Sequence, residues 1–82
     1  MRIVLLAQAQ EELDALSDPL LSDIAHRLET LAEFPELGAA MAGPFAGYRS
    51  LVIGFFRVVY RRLSEDIIEI AYIRDCRRKP LS

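Results

Sequence analysis

Three patterns in this 82-residue sequence predict an α+β domain in the order β-α-α-β-β-β, with both helices on one face of a sheet. A short β-branched run opens the chain, two stretches with apolar residues at helical spacing follow, and three runs rich in Val, Ile, Phe and Tyr close it. The length admits a single domain, residues 1–82. A hydrophobic content of 52% is enough to fold it around one core without a metal or a disulfide.

Each element has a local reason. RIVLL, at 2–6, is a short apolar run with β-branched residues and reads as a strand. QAQEELDAL then sets Ala9, Leu13 and Leu16 at helical spacing. SDP, at 17–19, puts capping residues before a proline expected at the first helical position, and Leu20, Ile24, Leu28 and Leu31 form an apolar stripe opposite Asp23, Arg27 and Glu33. This second helix should end near Phe34, before Pro35, with Gly38 beyond it. AAMAGPFAG, at 39–47, is small and punctuated by glycine and proline, so it is expected to be a loop. Strands are expected at 48–53, 55–63 and 67–74, with breaks at Gly54 and at SED, 64–66, where a hairpin turn is natural.

Alternation assigns faces. In the central strand Phe56, Val58 and Tyr60 fall on the core side, and Phe55, Arg57, Val59 and Arg61 on the other. In the last strand Ile68, Ile70 and Tyr72 share a side that Arg74 continues, which places both Tyr60 and Tyr72 in the core. Two helices cover one face only, so the face of Arg57 and Arg61 is left to solvent or a partner. A structural alternative for Arg57 is an ion pair with Glu69 across the strands.

The net charge of −2 conceals an asymmetry. Residues 1–47 hold two basic and eight acidic residues, whereas 48–82 hold eight basic and four acidic. Seven of those eight cations are arginine, whose planar fork suits phosphate and carboxylate, so the C-terminal half points to an acidic partner. Other classes drop out. The opening apolar run is too short for a signal segment or a membrane span, and the lone Cys76 fits a reducing cytoplasm. No CxxC, HxxxH or glycine-rich phosphate loop is present, so neither a metal nor another cofactor is expected. His26, on a polar part of the second helix, reads as a surface residue. Cys76, among Arg74, Arg77 and Arg78, lacks a base and reads as an ordinary residue.

FPELG, GPFAGYRSLVIGFFRVVYR, DIIEIAYI and RDCRRKP, in this order after two short helices, resemble the RelE/ParE superfamily of toxins from bacterial type II toxin-antitoxin systems. The likeness covers nearly the whole chain and is most specific from Gly47 to Arg61. It implies a twisted antiparallel sheet with two N-terminal helices packed on it. It also implies one of two targets: RelE-like members enter the ribosomal A site and cut messenger RNA, whereas ParE-like members bind DNA gyrase and are not nucleases. The RelE-like reading carries catalytic roles over to Arg49, Arg57 and, from the C-terminal basic pair, Arg77 or Arg78; Arg61, Arg78 and Lys79 are expected as further phosphate contacts. An inactivated scaffold that binds only its antitoxin is a third possibility. The resemblance further implies a cognate antitoxin, and the arginine-rich sheet face with the basic tail RRKP predicts that its acidic, amphipathic C-terminal segment covers Phe55, Arg57 and the end near Arg77. Leu51 stands where relatives often have a second basic residue, Asp75 stands near a common histidine position, and no tyrosine follows Arg78.

Those departures bear on chemistry. Cleavage by a 2′-hydroxyl on its neighbouring phosphate needs a base, an acid and cations to stabilise the phosphorane. Arginine readily supplies only the last. Weak acid-base groups suffice where the ribosome aligns the substrate, because alignment alone removes much of the barrier.

Overall fold

The computed structural model describes residues 1–77, so Arg78 and Lys79 lie outside the described residues. Strand β1 (Arg2–Leu5) leads into helices α1 (Ala7–Asp14) and α2 (Leu20–Glu33). Strand β2 (Ala39–Ala40), a 3-10 turn (Gly43–Phe45), and strands β3 (Arg49–Ile53), β4 (Phe56–Arg62) and β5 (Ile67–Asp75) follow. The five strands form one sheet in the order β1-β5-β4-β3-β2. The expected α+β layout and the expected meander are both present.

Two features differ from expectation. Ala39 and Ala40 pair with Ser50 and Arg49, so the expected loop contains a short edge strand. Its composition alone favours no strand; the neighbour β3 makes it one. The sheet is also mixed, because β1 runs parallel to β5, with Ile3 opposite Ile68 and Leu5 opposite Ile70. Two helices carry the chain away before the meander begins, and such a crossover is what parallel neighbours require.

The core lies between the helices and one sheet face. Ile24, Leu28 and Leu31 of α2 and Ala9 of α1 meet Leu51, Ile53, Phe56, Val58, Tyr60, Ile68, Ile70 and Ile73. The α2 stripe therefore points as its spacing requires, whereas α1 ends at Asp14, so of its expected stripe Ala9 is buried, Leu13 is partly buried and Leu16 packs on the core from beyond the helix. At the start of α2, Pro19 stands at the cap position rather than inside the helix, and the Asp18 carboxylate accepts the Ser22 backbone N–H at 3.1 Å. Between β3 and β4 the loop is only Gly54-Phe55; Gly54 has φ +60° and, among the described residues, no non-glycine residue has a positive φ, so Phe55 completes a type II′ turn.

One irregularity decides the function-bearing face. Val59 lies opposite Tyr72, yet the next residue, Tyr60, lies opposite Ile70, so Ala71 is an extra residue in β5. That β-bulge reverses the alternation beyond it. Ile68, Ile70 and Ile73 all enter the core, while Tyr72 and Arg74 point away from the helices. The expectation that Tyr72 and Arg74 continue the side of Ile68 and Ile70 is thus corrected. The Ile73 N–H, beyond the end of β1, is taken instead by Glu12 Oε1 of α1 at 3.0 Å.

Candidate functional site

The sheet face away from the helices is built of cross-strand rows. At one end Arg61 lies opposite Glu69 and donates to it at 2.9 Å, and its guanidinium carbon is 5.4 Å from the centre of the Tyr48 ring. The middle row is Ser50, Val59 and Tyr72, and the next is Val52, Arg57 and Arg74. Val59 is only 3% exposed although no helix covers it, so neighbouring side chains on this face shade it. Beyond Arg57 the face ends at Phe55, over whose ring the Arg77 guanidinium lies at 3.7 Å.

Arg57 and Arg74 are direct register partners on this face. Like charges directly opposite each other destabilise a sheet. Arg74 rests over the Tyr72 ring at 4.8 Å, and Arg57 is exposed and makes no hydrogen bond or ion pair among the described residues. Two forks side by side, one held by an aromatic ring and the other unengaged, suit a dianionic or phosphodiester group. The structural alternative for Arg57 is overturned: the register places Glu69 opposite Arg61, and that is the ion pair formed.

The expected site residues divide between two places. Arg57, Arg61, Arg77 and Phe55 share the outer face or its end. Arg49 does not. It lies opposite Tyr60, on the helix-facing side, and its Nη1 donates to the Gly38 carbonyl at 2.8 Å. There it belongs to a buried knot in which the Tyr60 hydroxyl accepts the Gly38 N–H and donates to the Pro35 carbonyl, each at 2.8 Å. FPELG is the segment this knot fastens.

Burial pushes the Tyr60 phenol above its ordinary value, the Gly38 N–H and the Arg49 charge pull it back, and Glu36 adds a smaller upward push. The folded state therefore keeps the phenolic proton to higher pH than the unfolded chain does. The stabilisation is complete below the unfolded value of about 10 and is lost as pH rises through the folded one. Urea midpoints measured from pH 8 upward should fall more steeply above pH ~10 in the parent than in Tyr60→Phe. Equal slopes would show that Tyr60 titrates alike in both states.

Residues elsewhere add little to this face. His26 is exposed on α2, 4.0 Å from Glu29, and lines a shallow cleft with Asp23, Arg27 and the β3–β4 turn. Cys76 is exposed, with a free thiol. Among the described residues no cluster of His, Cys, Asp and Glu could hold a metal ion, and no helix is long and apolar enough to cross a membrane. Sequence reasoning missed two members of the face, Tyr72 and Arg74. The only local sign was Ala71, a small residue between larger apolar neighbours, and that does not mark a bulge by itself.

Comparison with known proteins agrees with this architecture. Residues 3–80 match the model of a family described as the ParE toxin of the type II toxin-antitoxin system parDE. No curated protein matches the sequence. Among solved structures, the toxin-antitoxin complex RelBE2 of Mycobacterium tuberculosis superposes with a TM-score of 0.79 at 20% identity, over 89% of this chain and 94% of the other. The isolated E. coli RelE toxin gives 0.77 at 16% identity, over 95% and 86%. The chromosomal ParDE system of P. aeruginosa gives 0.71 at 21% identity, over 92% and 95%. At such identities the likeness is one of fold.

Proposed function

From the premise that the chain belongs to the ParE toxin family, and so is the toxin of a type II toxin-antitoxin system, we propose that it is a ribosome-dependent endonuclease that cuts messenger RNA and halts translation. The observation that carries this reading is the opposed pair Arg57 and Arg74, whose mutual repulsion an RNA phosphate would relieve. In the reaction the 2′-hydroxyl loses its proton, the bond from its oxygen to phosphorus forms, the bond from phosphorus to the 5′-oxygen breaks, and that oxygen takes up a proton. Arg57, Arg74 and Arg77 stabilise the charge gathered on the phosphorane. Tyr72, beneath Arg74, is the phenol beside the arginine pair for proton handling, with Tyr48 at the Arg61 end of the face, and the aligned substrate lowers the demand on it.

A second reading, non-enzymatic binding of DNA gyrase, is favoured by one observation. The carboxylate of this face, Glu69, is held by Arg61, and the single histidine is on α2. Induction in growing cells separates the two. Loss of messenger RNA within minutes supports cleavage; DNA-damage signalling with filamentation supports gyrase.

In either case the same face is the proposed seat of the cognate antitoxin. An acidic, amphipathic segment would bury Phe55 and meet Arg57 and Arg77 with its carboxylates. Because exposed charges mainly govern encounter, raising salt should slow association more than it speeds dissociation. Stopped-flow mixing across a salt series measures this, and an association rate indifferent to salt would show that these arginines do not steer the partner.

A further inference from the structure

We propose that Asp75 is a positioning residue that presets the Arg77 guanidinium to receive a phosphodiester at the end of the arginine face. The inference rests on the reading of that face as a phosphate site and extends it to a residue without a role in that reading. The chain turns sharply at the end of β5: the Cys76 N–H donates to the Phe55 carbonyl at 2.7 Å and the Arg77 N–H to Asp75 Oδ1 at 2.8 Å. This turn returns the Arg77 side chain over the Phe55 ring, 3.7 Å from its centre. The Asp75 carboxylate then accepts Nε of Arg77 at 3.3 Å through Oδ1 and Nη2 at 3.2 Å through Oδ2.

A guanidinium has five N–H donors, and this grip uses two along one edge. Phe55 covers one flat side. The edge formed by the two terminal nitrogens remains for a ligand, and it is the fork that holds a phosphate bidentately. The Arg77 side chain is 66% exposed, so without the grip and the stack it would sample many rotamers and lose that freedom on binding. Asp75 therefore has two opposed effects on an anion. Its charge repels the ligand, and its geometry prepares the receptor.

The sign of the effect on removal decides between them. Binding of a fluorescent single-stranded RNA oligonucleotide to the full chain is measured for the parent, Asp75→Ala, Arg77→Ala and the double variant. Asp75→Ala should weaken binding roughly two- to tenfold although it removes a negative charge, the loss expected for freeing one long side chain. In the Arg77→Ala background the same change should cause no loss. Asp75→Asn keeps an acceptor for the Arg77 N–H and hence the turn, so it should fall between parent and Asp75→Ala; it also serves if the alanine variant does not fold. Tighter RNA binding by both Asp75 variants in the presence of Arg77 would overturn the proposal and leave simple repulsion. A parent that binds no RNA would instead overturn the phosphate reading itself, and this inference with it.

Discussion

Arg57→Ala is expected to abolish growth inhibition while leaving the protein folded and no less stable than the parent. Each hydrogen bond from a charged donor contributes about 1.5–3 kcal/mol, so every bond lost with the fork should weaken the phosphate contact by a further factor of roughly ten to a hundred. Stability should not suffer, because Arg57 is exposed, has no partner among the described residues, and faces Arg74. Arg57→Glu sharpens the test. It places a carboxylate opposite Arg74, which should stabilise the sheet by a few tenths to about 1 kcal/mol while eliminating activity. Arg57→Lys keeps the charge and loses the fork, so it should be impaired if the contact is bidentate. Growth after induction and thermal melting of the purified variants measure both sides. A variant that loses activity because it fails to fold would assign Arg57 to the scaffold, and full activity in Arg57→Lys would reduce the contact to a point charge.

Gly38→Ala is expected to cost the fold about 2–4 kcal/mol, a large share of the roughly 4–12 kcal/mol available to a domain of this length. A Cβ at this buried position would lie 2.7 Å from the Ser50 carbonyl oxygen, 2.8 Å from the Tyr60 hydroxyl and 2.9 Å from Tyr60 Cε1. Ser50 is fixed within β3, so relief must come from the segment carrying Gly38. Withdrawing that segment breaks its N–H bond to Tyr60 and its carbonyl bond from Arg49. The melting temperature should fall by roughly 10–30 °C. Tyr60→Phe removes the hydroxyl without adding bulk and leaves the Gly38 N–H and the Pro35 carbonyl without their partner; it should cost about 1–3 kcal/mol. Because both changes act on one knot, their effects should not add in the double variant. A Gly38→Ala protein that melts with the parent would show that the segment can shift without losing these bonds.

The two predictions separate arginines that look alike in the sequence. Arg49 and Arg57 each stand in a β-strand among apolar residues. One ties a loop to the core and the other faces outward unengaged. The difference is parity: Arg49 shares a side with Leu51 and Ile53, whereas Arg57 lies between the buried Phe56 and Val58 and points away from both.

What the sequence determined by itself was whatever depends on neighbours along the chain. The stripe Ile24, Leu28 and Leu31 committed α2 to a buried face, Gly54 set a tight turn, and the alternation of Phe56, Val58 and Tyr60 against Phe55, Arg57 and Arg61 chose the sides of β4. The charge split likewise announced an arginine-rich C-terminal half. The tertiary structure decided what depends on pairing between distant segments. Ala39 and Ala40 became a strand only beside β3, and β1 became parallel only because the chain returned to it through β5. The extra residue at Ala71 moved Tyr72 and Arg74 to the outer face, set Arg74 against Arg57, and left Glu69 to Arg61. Strand periodicity is counted from residue to residue, so one bulge reverses every assignment after it. Where a bulge falls is settled by the register with the partner strand, which no stretch of a single strand contains.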